Sequence, residues 1–152
     1  MPTTPEVRKS IAKELLEDAY PEATRGNVVP LQKYFHEDYI SHTGRHSHHE
    51  HGLDALKHEA TEWGKLGSDL VIKVTHELAE GNMVMAMWSA EITATGEHHN
   101  KRTGAVLPHN KLLKVGGVCV YKITNGKIAE EWRYENIVET LVDAGMMALS
   151  PA

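Results

Sequence analysis

The dipeptide Asn125-Gly126 constrains the fold of this chain more than any other feature of its sequence. It lies between two segments in which apolar residues recur at every second position, and Asn-Gly is the preferred pair for a two-residue type I′ turn. The sequence therefore predicts a β-hairpin whose strands meet directly at this dipeptide. The predicted pairs are Ile123 with Ile128, Tyr121 with Glu130, Cys119 with Trp132, Gly117 with Tyr134 and Val115 with Asn136.

One face of the predicted hairpin combines aromatic and polar residues, and we expect it to point into the protein. The inward residues of the second strand are Glu130, Trp132, Tyr134 and Asn136, and they share this face with Tyr121. The opposite face carries Val118 and Val120 among charged residues, so we expect it to be the more exposed one. A carboxyl group surrounded by aromatic side chains tends to have a raised pKa, which suits general acid–base chemistry. A purely structural role for Glu130, such as a hydrogen bond to Tyr121, remains an alternative.

Before this hairpin, the hydrophobic period changes from that of helices to that of strands. We predict helices over 5–20 and 52–65, a shorter helical segment over 31–36, and strands over 38–42, 70–79 and 83–95. A three-residue loop at 80–82 would pair Leu78 with Val84 and place His76 on the apolar face. A closing helix over 137–144 would have Asn136 as its N-cap and Gly145 just beyond its end. Helices followed by antiparallel strands predict an α+β fold.

Composition excludes several classes of protein. The chain has 152 residues, enough for one domain over 1–152, and a net charge of −5 with no cluster of Lys or Arg. A nucleic-acid partner is therefore not expected, and no apolar stretch is long enough to cross a membrane. The single cysteine, Cys119, cannot form an internal disulfide, which favours a cytoplasmic protein. We expect its thiol to be buried and unreactive.

Four short segments together resemble the SnoaL-like polyketide cyclase family of the nuclear transport factor two-like superfamily. The segments are Phe35–His42 (FHEDYISH), Ala79–Trp88 (AEGNMVMAMW), Thr103-Gly104 and Gly126–Trp132 (GKIAEEW). The resemblance implies a cone-shaped curved antiparallel sheet packed against three to four helices, also described as a cystatin-like α+β barrel. It also implies a deep pocket and, often, a homodimer. The family's cyclases close rings by cofactor-free aldol chemistry, using an aspartate four residues after the strand tryptophan.

In this chain the position of that aspartate is Asn136, which cannot exchange a proton near neutral pH. If the chain is an enzyme, a lyase or isomerase of the polyketide cyclase kind, its acid or base must lie elsewhere. We predict cofactor-independent aldol-type cyclisation, isomerisation or dehydration of a hydrophobic carbonyl compound. The candidate acid–base residues are His42 and Glu130, with Tyr121 and Asn136 as hydrogen-bond donors. The candidate substrate-binding residues are Trp63, Trp88, Trp132 and Tyr134.

Two alternatives stay open. The chain could be a small-ligand-binding protein that has the pocket without the catalytic aspartate. It could instead be a metal-dependent enzyme, because four of its eleven histidines, His46, His48, His49 and His51, lie close together and imidazole binds several transition metals. These histidines do not show the i, i+4 helical spacing of common metal motifs. We therefore expect no metal and no other cofactor, with a small organic molecule as the partner.

Overall fold

The computed structural model describes residues 3–43, 50–95 and 110–145. Four α-helices are present in these ranges: α1 (Pro5–Glu14), α2 (Tyr20–Thr24), α3 (Gly52–Leu66) and α4 (Ile137–Asp143). A π-helical turn, Leu15–Ala19, joins α1 to α2, and a 3₁₀ helix covers Val29–Lys33. The strands are β1 (Phe35–Thr43), β2 (Glu50–His51), β3 (Gly67–Glu80), β4 (Met83–Ala94), β5 (Leu112–Thr124) and β6 (Lys127–Glu135).

The strands form one curved sheet in the order β2-β1-β6-β5-β4-β3. The predicted α+β class, with helices on a curved sheet, is confirmed. One pairing differs from an entirely antiparallel sheet, because β1 runs parallel to β6. The helices α1 and α3 pack on the sheet and enclose a core that includes Leu15, Phe35 and Ile128, each at most 1% exposed. No helix in the described ranges is long and apolar enough to cross a membrane.

The first helical region is longer than predicted and continues through Pro21. Proline cannot donate a backbone hydrogen bond, which normally ends a helix. Here the wider π turn precedes it, and π turns are sites where the regular ladder of helical hydrogen bonds is interrupted. The turn also brings the carboxylate of Glu17 to the backbone N–H of Val74, which donates to it at 2.9 Å. Helix and sheet are thus joined at a point where both are irregular.

The Asn125-Gly126 turn is confirmed, since both residues have positive φ angles, 50° and 78°, as a type I′ turn requires. Ile123 also pairs with Ile128 as predicted. Beyond that pair the predicted register is wrong by one residue, because a β-bulge inserts Ala129. A bulge places two residues opposite one, bends the strand and exchanges the faces of every residue that follows.

The β3–β4 hairpin shows a similar difference. The turn has two residues, so Glu80 pairs with Met83, and Leu78 lies on the outer face with a 65% exposed side chain. A second bulge, between Val74 and His76, then returns Ile72 to the inner face. The prediction that His76 belongs to the core is wrong, because on this side of the bulge it is exposed.

Candidate active site

The concave side of the sheet and the helices enclose a cavity. Its empty volume is about 490 Å³, part of which is open solvent at the mouth. Most of the wall is apolar or aromatic, and the charged side chains form one cluster around Arg133, which marks the polar end of the cavity. The apolar and aromatic lining includes Leu15, Leu56, Trp63, Leu70, Ile72, Trp88, Ala90 and Val115. The polar end is formed by Tyr20, Tyr121, Glu131, Arg133 and Glu135. An apolar pocket with a few convergent polar groups is the usual form of a small-molecule site.

The polar end is a cluster of three carboxylates around one guanidinium. Arg133 forms an ion pair with Glu59 of α3, and its Nε lies 3.0 Å from a carboxylate oxygen of Glu135. Its Nη1 lies 3.9 Å from Oε1 of Glu131. The Tyr20 hydroxyl donates a hydrogen bond of 2.9 Å to Glu59. The cluster therefore contains more negative than positive charge when every group is ionised.

Glu131 is the most deeply buried of the three carboxyl groups, with only 3% of the residue exposed. Burial raises its pKa to about 7, Arg133 opposes that rise, and the nearby Glu59 and Glu135 add to it. The Ser41 hydroxyl donates to its Oε1 at 3.4 Å and favours the ionised form. A carboxyl group with a pKa close to neutral pH can both accept and return a proton under physiological conditions.

Three neighbouring groups, Arg133, Tyr20 and Tyr121, keep fixed protonation states. Burial opposes the positive charge of Arg133, but Glu59 and Glu131 outweigh that effect and hold its pKa well above the usual value. Burial raises the pKa of the Tyr20 and Tyr121 hydroxyls well above their usual value, so both remain protonated donors. Glu131 is therefore the group of this cluster best suited to gain and lose a proton near neutral pH.

A glycine in β5 shapes the wall next to the cluster. A Cβ atom at Gly117 would lie 2.8 Å from the ring of Trp88, so only glycine allows the indole to lie against this strand. The indole Nε1 donates to the sulfur of Cys119 at 3.3 Å. Cys119 is 1% exposed, so the predicted burial of the thiol is confirmed. Burial raises its pKa to about 12, which favours the protonated thiol.

The predicted acid–base pair, His42 and Glu130, is brought together, but outside the cavity. The Nε2 of His42 lies 3.2 Å from Oε1 of Glu130, and Lys122 lies 3.2 Å from the other oxygen of the same carboxylate. The prediction that Glu130 faces inward is wrong, because the bulge at Ala129 turns it to the outer face of the sheet. There the hydrogen bond from His42, with Lys122, lowers the pKa of Glu130.

The same shift corrects two predicted substrate-binding residues. Trp132 stacks on His42 on the outer face, with ring centroids 4.8 Å apart, and Tyr134 is 63% exposed. Neither lines the cavity, whereas Trp63, Trp88 and Tyr121 do. The bulge thus leaves the first strand of the hairpin in the predicted orientation and reverses the second.

Asn136 is exposed and is not among the residues that line the cavity. Its Oδ1 accepts a hydrogen bond of 2.7 Å from the backbone N–H of Gly116, and its Nδ2 donates to Glu139 at 3.3 Å. It stands at the predicted N-cap of α4 but makes no side-chain capping bond to that helix. Gly145 follows α4 with a φ of 74°, as predicted for the residue beyond a helix end.

The candidate metal ligands His46, His48 and His49 lie outside the described residues, and for His51 only the backbone position in β2 is described. Among residues 3–43, 50–95 and 110–145, no three His, Cys, Asp or Glu side chains are arranged to hold a metal ion. The metal-dependent alternative is therefore untested.

Sequence reasoning missed Glu59, Glu131, Arg133 and Glu135. Three of them occupy alternate positions on β6, where residues of opposite charge, Glu131, Arg133 and Glu135, follow one another on one face. Such a pattern fits either a solvated strand face or a buried ion-pair network. Only the position of the bulge decides between them, and the bulge leaves no clear mark in the sequence.

Comparison with known proteins agrees with this architecture. The sequence profile of the SnoaL-like polyketide cyclase family matches residues 12–143, whereas no curated protein sequence matches the chain. Among solved structures, AclR, a proposed hydroxylase from Streptomyces galilaeus, is 20% identical and superposes with a TM-score of 0.74 over 97% of this chain and 87% of its own. TsrD from Streptomyces laurentii is 17% identical, with a TM-score of 0.75 over 95% of this chain and 99% of its own.

A third structure, IdmH from Streptomyces antibioticus, a proposed polyketide cyclase, is 17% identical, with a TM-score of 0.72 over 92% of this chain and 99% of its own. At these identities the superpositions establish a shared fold and nothing more about chemistry. The family itself is established by the profile, which spans most of the sequence. The chain belongs to the SnoaL-like polyketide cyclase family.

Proposed function

We propose that the protein is a cofactor-independent enzyme that transfers protons to and from a small, neutral carbonyl compound, with Glu131 as its acid–base group. The observation that carries this proposal is the buried carboxyl of Glu131 at the polar end of an apolar cavity, with a pKa of about 7. Family membership and apolar walls support a hydrophobic, polyketide-like substrate. Glu131 takes the role that the sequence alone suggested for Glu130.

The proposed reaction begins when ionised Glu131 removes a proton from the carbon next to the substrate carbonyl. The electron pair of the broken C–H bond moves to the carbonyl oxygen and gives an enolate, which the protonated Tyr121 hydroxyl can stabilise as a donor. The enolate carbon then attacks a second carbonyl, as in aldol cyclisation, or takes a proton back at another carbon, as in isomerisation. In either case Glu131 returns the proton it removed.

The charge of the site favours a neutral substrate. With Glu131 protonated, the remaining Glu59, Glu135 and Arg133 carry one more negative than positive charge. An anionic ligand would meet like charge in a buried place, where the cost is largest. A neutral ketone becomes negatively charged only during the reaction, next to the donors.

Replacing Glu131 tests this proposal. Loss of one positioned acid–base group lowers turnover by roughly 10²–10⁴, so Glu131→Gln should have that effect on the conversion of a β-diketone or polyketide-like substrate. The matched control is Glu130→Gln, the neighbouring carboxylate on the outer face, which should keep turnover. Equal activity of Glu131→Gln and the parent would refute the proposal.

A binding protein without catalysis is the second candidate, and the side chain of Asn136 favours it. The position of the family aspartate holds an amide whose oxygen is already bonded to Gly116. If Asn136→Asp produces cyclase activity that the parent lacks, while Glu131→Gln changes nothing, the binding function is the correct one.

We also propose a homodimer formed through the outer face of the sheet. Three large side chains are exposed on this face: Leu78 (65%), Met87 (42%) and Tyr134 (63%). They lie beside the half-buried Val118 and Val120. Light scattering at micromolar concentration should report two chains, and Tyr134→Asp should shift the protein towards one. Val29→Asp, at a 68% exposed position away from the sheet, is the control. A monomeric parent would contradict the proposed dimer.

The cytoplasmic location remains a prediction.

A further inference from the structure

A second cavity lies under α4, and the function proposed above does not use it. Its empty volume is about 320 Å³, part of which is open solvent at its mouth. Its walls come from the end of α3, the strands β4 and β5, and α4, and they are almost entirely apolar. They include Leu66, Ile92, Leu113, Ile137, Leu141 and Ala144. Among the described residues of these walls, the polar groups are the Trp63 indole and the Thr140 hydroxyl. The hydroxyl donates to the carbonyl of Lys114 at 2.7 Å and so needs no partner from a ligand.

The second cavity shares two wall residues with the first, Trp63 and Val115. Val115 is 4% exposed, β-branched and held in the middle of the sheet, so it has little freedom to move. The side chain of Trp63 is larger, only partly buried, and projects from the last turns of a helix. The indole of Trp63 is therefore the movable part of the partition between the two spaces.

The backbone that carries Trp63 is held firmly in place. A Cβ atom at Gly64 would collide with the carbonyl oxygen of Thr24, and one at Gly67 would collide with that of Thr93. The end of α3 thus makes a close backbone contact with α2 at Gly64, and the start of β3, directly after it, makes one with β4 at Gly67. A change in the partition must come from rotation of the indole, because the helix itself cannot retreat without opening these contacts.

We propose that the two cavities form one bent binding site, in which the space under α4 takes the apolar tail of a ligand and Trp63 sets how far that tail reaches. The carbonyl head of the ligand lies at Glu131, and this part of the inference rests on the function proposed above. The substrate class is then an elongated carbonyl compound, polar at one end and carrying an alkyl or second-ring tail. The tail gains its binding energy from burial in an apolar space that demands no hydrogen bond.

The test is calorimetric titration with phenyl alkyl ketones, from propiophenone to heptanophenone. Each buried methylene contributes about 0.8 kcal/mol, so affinity should rise by roughly fourfold per added carbon. Leu141→Trp fills only the space under α4 and should abolish this gain for the longer ketones while leaving propiophenone binding unchanged. Val138→Trp is the matched control, since Val138 lies on the same helix, 49% exposed, and lines neither cavity. It should bind the series as the parent does.

Trp63→Ala and the milder Trp63→Phe provide a second measurement that does not depend on packing of α4. Both should strengthen binding of the longest ketones relative to propiophenone, with the larger change for alanine. The proposal is overturned if the parent shows no gain with chain length, if it binds none of the ketones, or if Leu141→Trp binds the whole series like the parent. Glu131→Gln should keep the chain-length dependence, so full turnover in that variant would refute the acid–base role and leave the two-part site standing.

Discussion

Glu130 and Glu131 are adjacent in the sequence and lie on opposite faces of the same strand. Glu130 meets His42 and Lys122 on the outer face, and these partners lower its pKa. Glu131 is buried in the cavity wall, and burial raises its pKa to about 7 even though Arg133 is nearby. The pKa values of two identical, adjacent side chains are thus shifted in opposite directions.

The difference shows that partners alone do not determine the chemistry of a carboxyl group. Both glutamates have a cationic neighbour, but only Glu130 remains in contact with water, with 26% of its side chain exposed. Glu131 shares the Arg133 guanidinium with Glu59 and Glu135, so the positive charge that reaches it is divided. Desolvation therefore dominates on the inner face, and pairing dominates on the outer face.

The largest expected effect tests that division of charge. Arg133→Leu would remove the guanidinium that the three carboxyl groups share, and loss of one partner from a buried ionic cluster typically costs about 3–5 kcal/mol. The free energy of unfolding from urea titrations should fall by this order at about pH 8. It should fall less at about pH 5, where the carboxyl groups can take up protons.

The matched substitution on the outer face is Lys122→Leu, which removes the cation next to Glu130. The Lys122 side chain is 41% exposed, so its pair with Glu130 is worth no more than about 1 kcal/mol. If the two substitutions destabilise the protein equally, the contrast between the inner and outer clusters is false.

The sequence predicts the structure of this hairpin correctly up to the bulge at Ala129 and not beyond it. The Asn125-Gly126 turn and the inward face of β5 follow from turn chemistry and period-two alternation, and both are confirmed. The bulge at Ala129 does not follow from them, because alternation along β6 suits either face. It is set by tertiary demands, since β6 must bend while pairing antiparallel with β5 and parallel with β1.

The second prediction concerns how stability depends on pH. Because the pKa of Glu131 is raised to about 7 in the folded state, the native protein holds this proton where the unfolded chain has lost it. The free energy of unfolding should therefore decrease as pH rises from about 4.5 to about 7, by about 3 kcal/mol for a shift of this size. Glu131→Gln should lack this decrease. The difference in unfolding free energy between this variant and the parent should therefore change in favour of the variant as pH rises from about 5 to about 8.

Glu130→Gln is the control for this measurement and should act in the opposite sense. The pKa of Glu130 is lowered, so its contribution is present at neutral pH and is lost as pH falls through that lowered value. The decrease between mildly acidic and mildly alkaline pH should therefore persist in this variant. Urea titrations of the parent and both variants across this range decide the point.

The smallest expected effect concerns the outer pair. His42→Ala removes the hydrogen bond of 3.2 Å to Glu130 and the stacking on Trp132, which at a partly exposed site should cost about 1 kcal/mol or less at neutral pH. The part of the loss that comes from the pair with Glu130 should disappear in acid, where Glu130 is protonated, and the part that comes from stacking on Trp132 should remain. His76→Ala, at an exposed histidine that is hydrogen-bonded to its neighbour Thr75, is the control and should be nearly neutral. Turnover of His42→Ala should equal that of the parent, because this pair lies on the far side of the sheet from the cavity. A hundredfold loss of turnover in a stably folded His42→Ala protein would instead place the chemistry on the outer face and reverse the roles of the two glutamates.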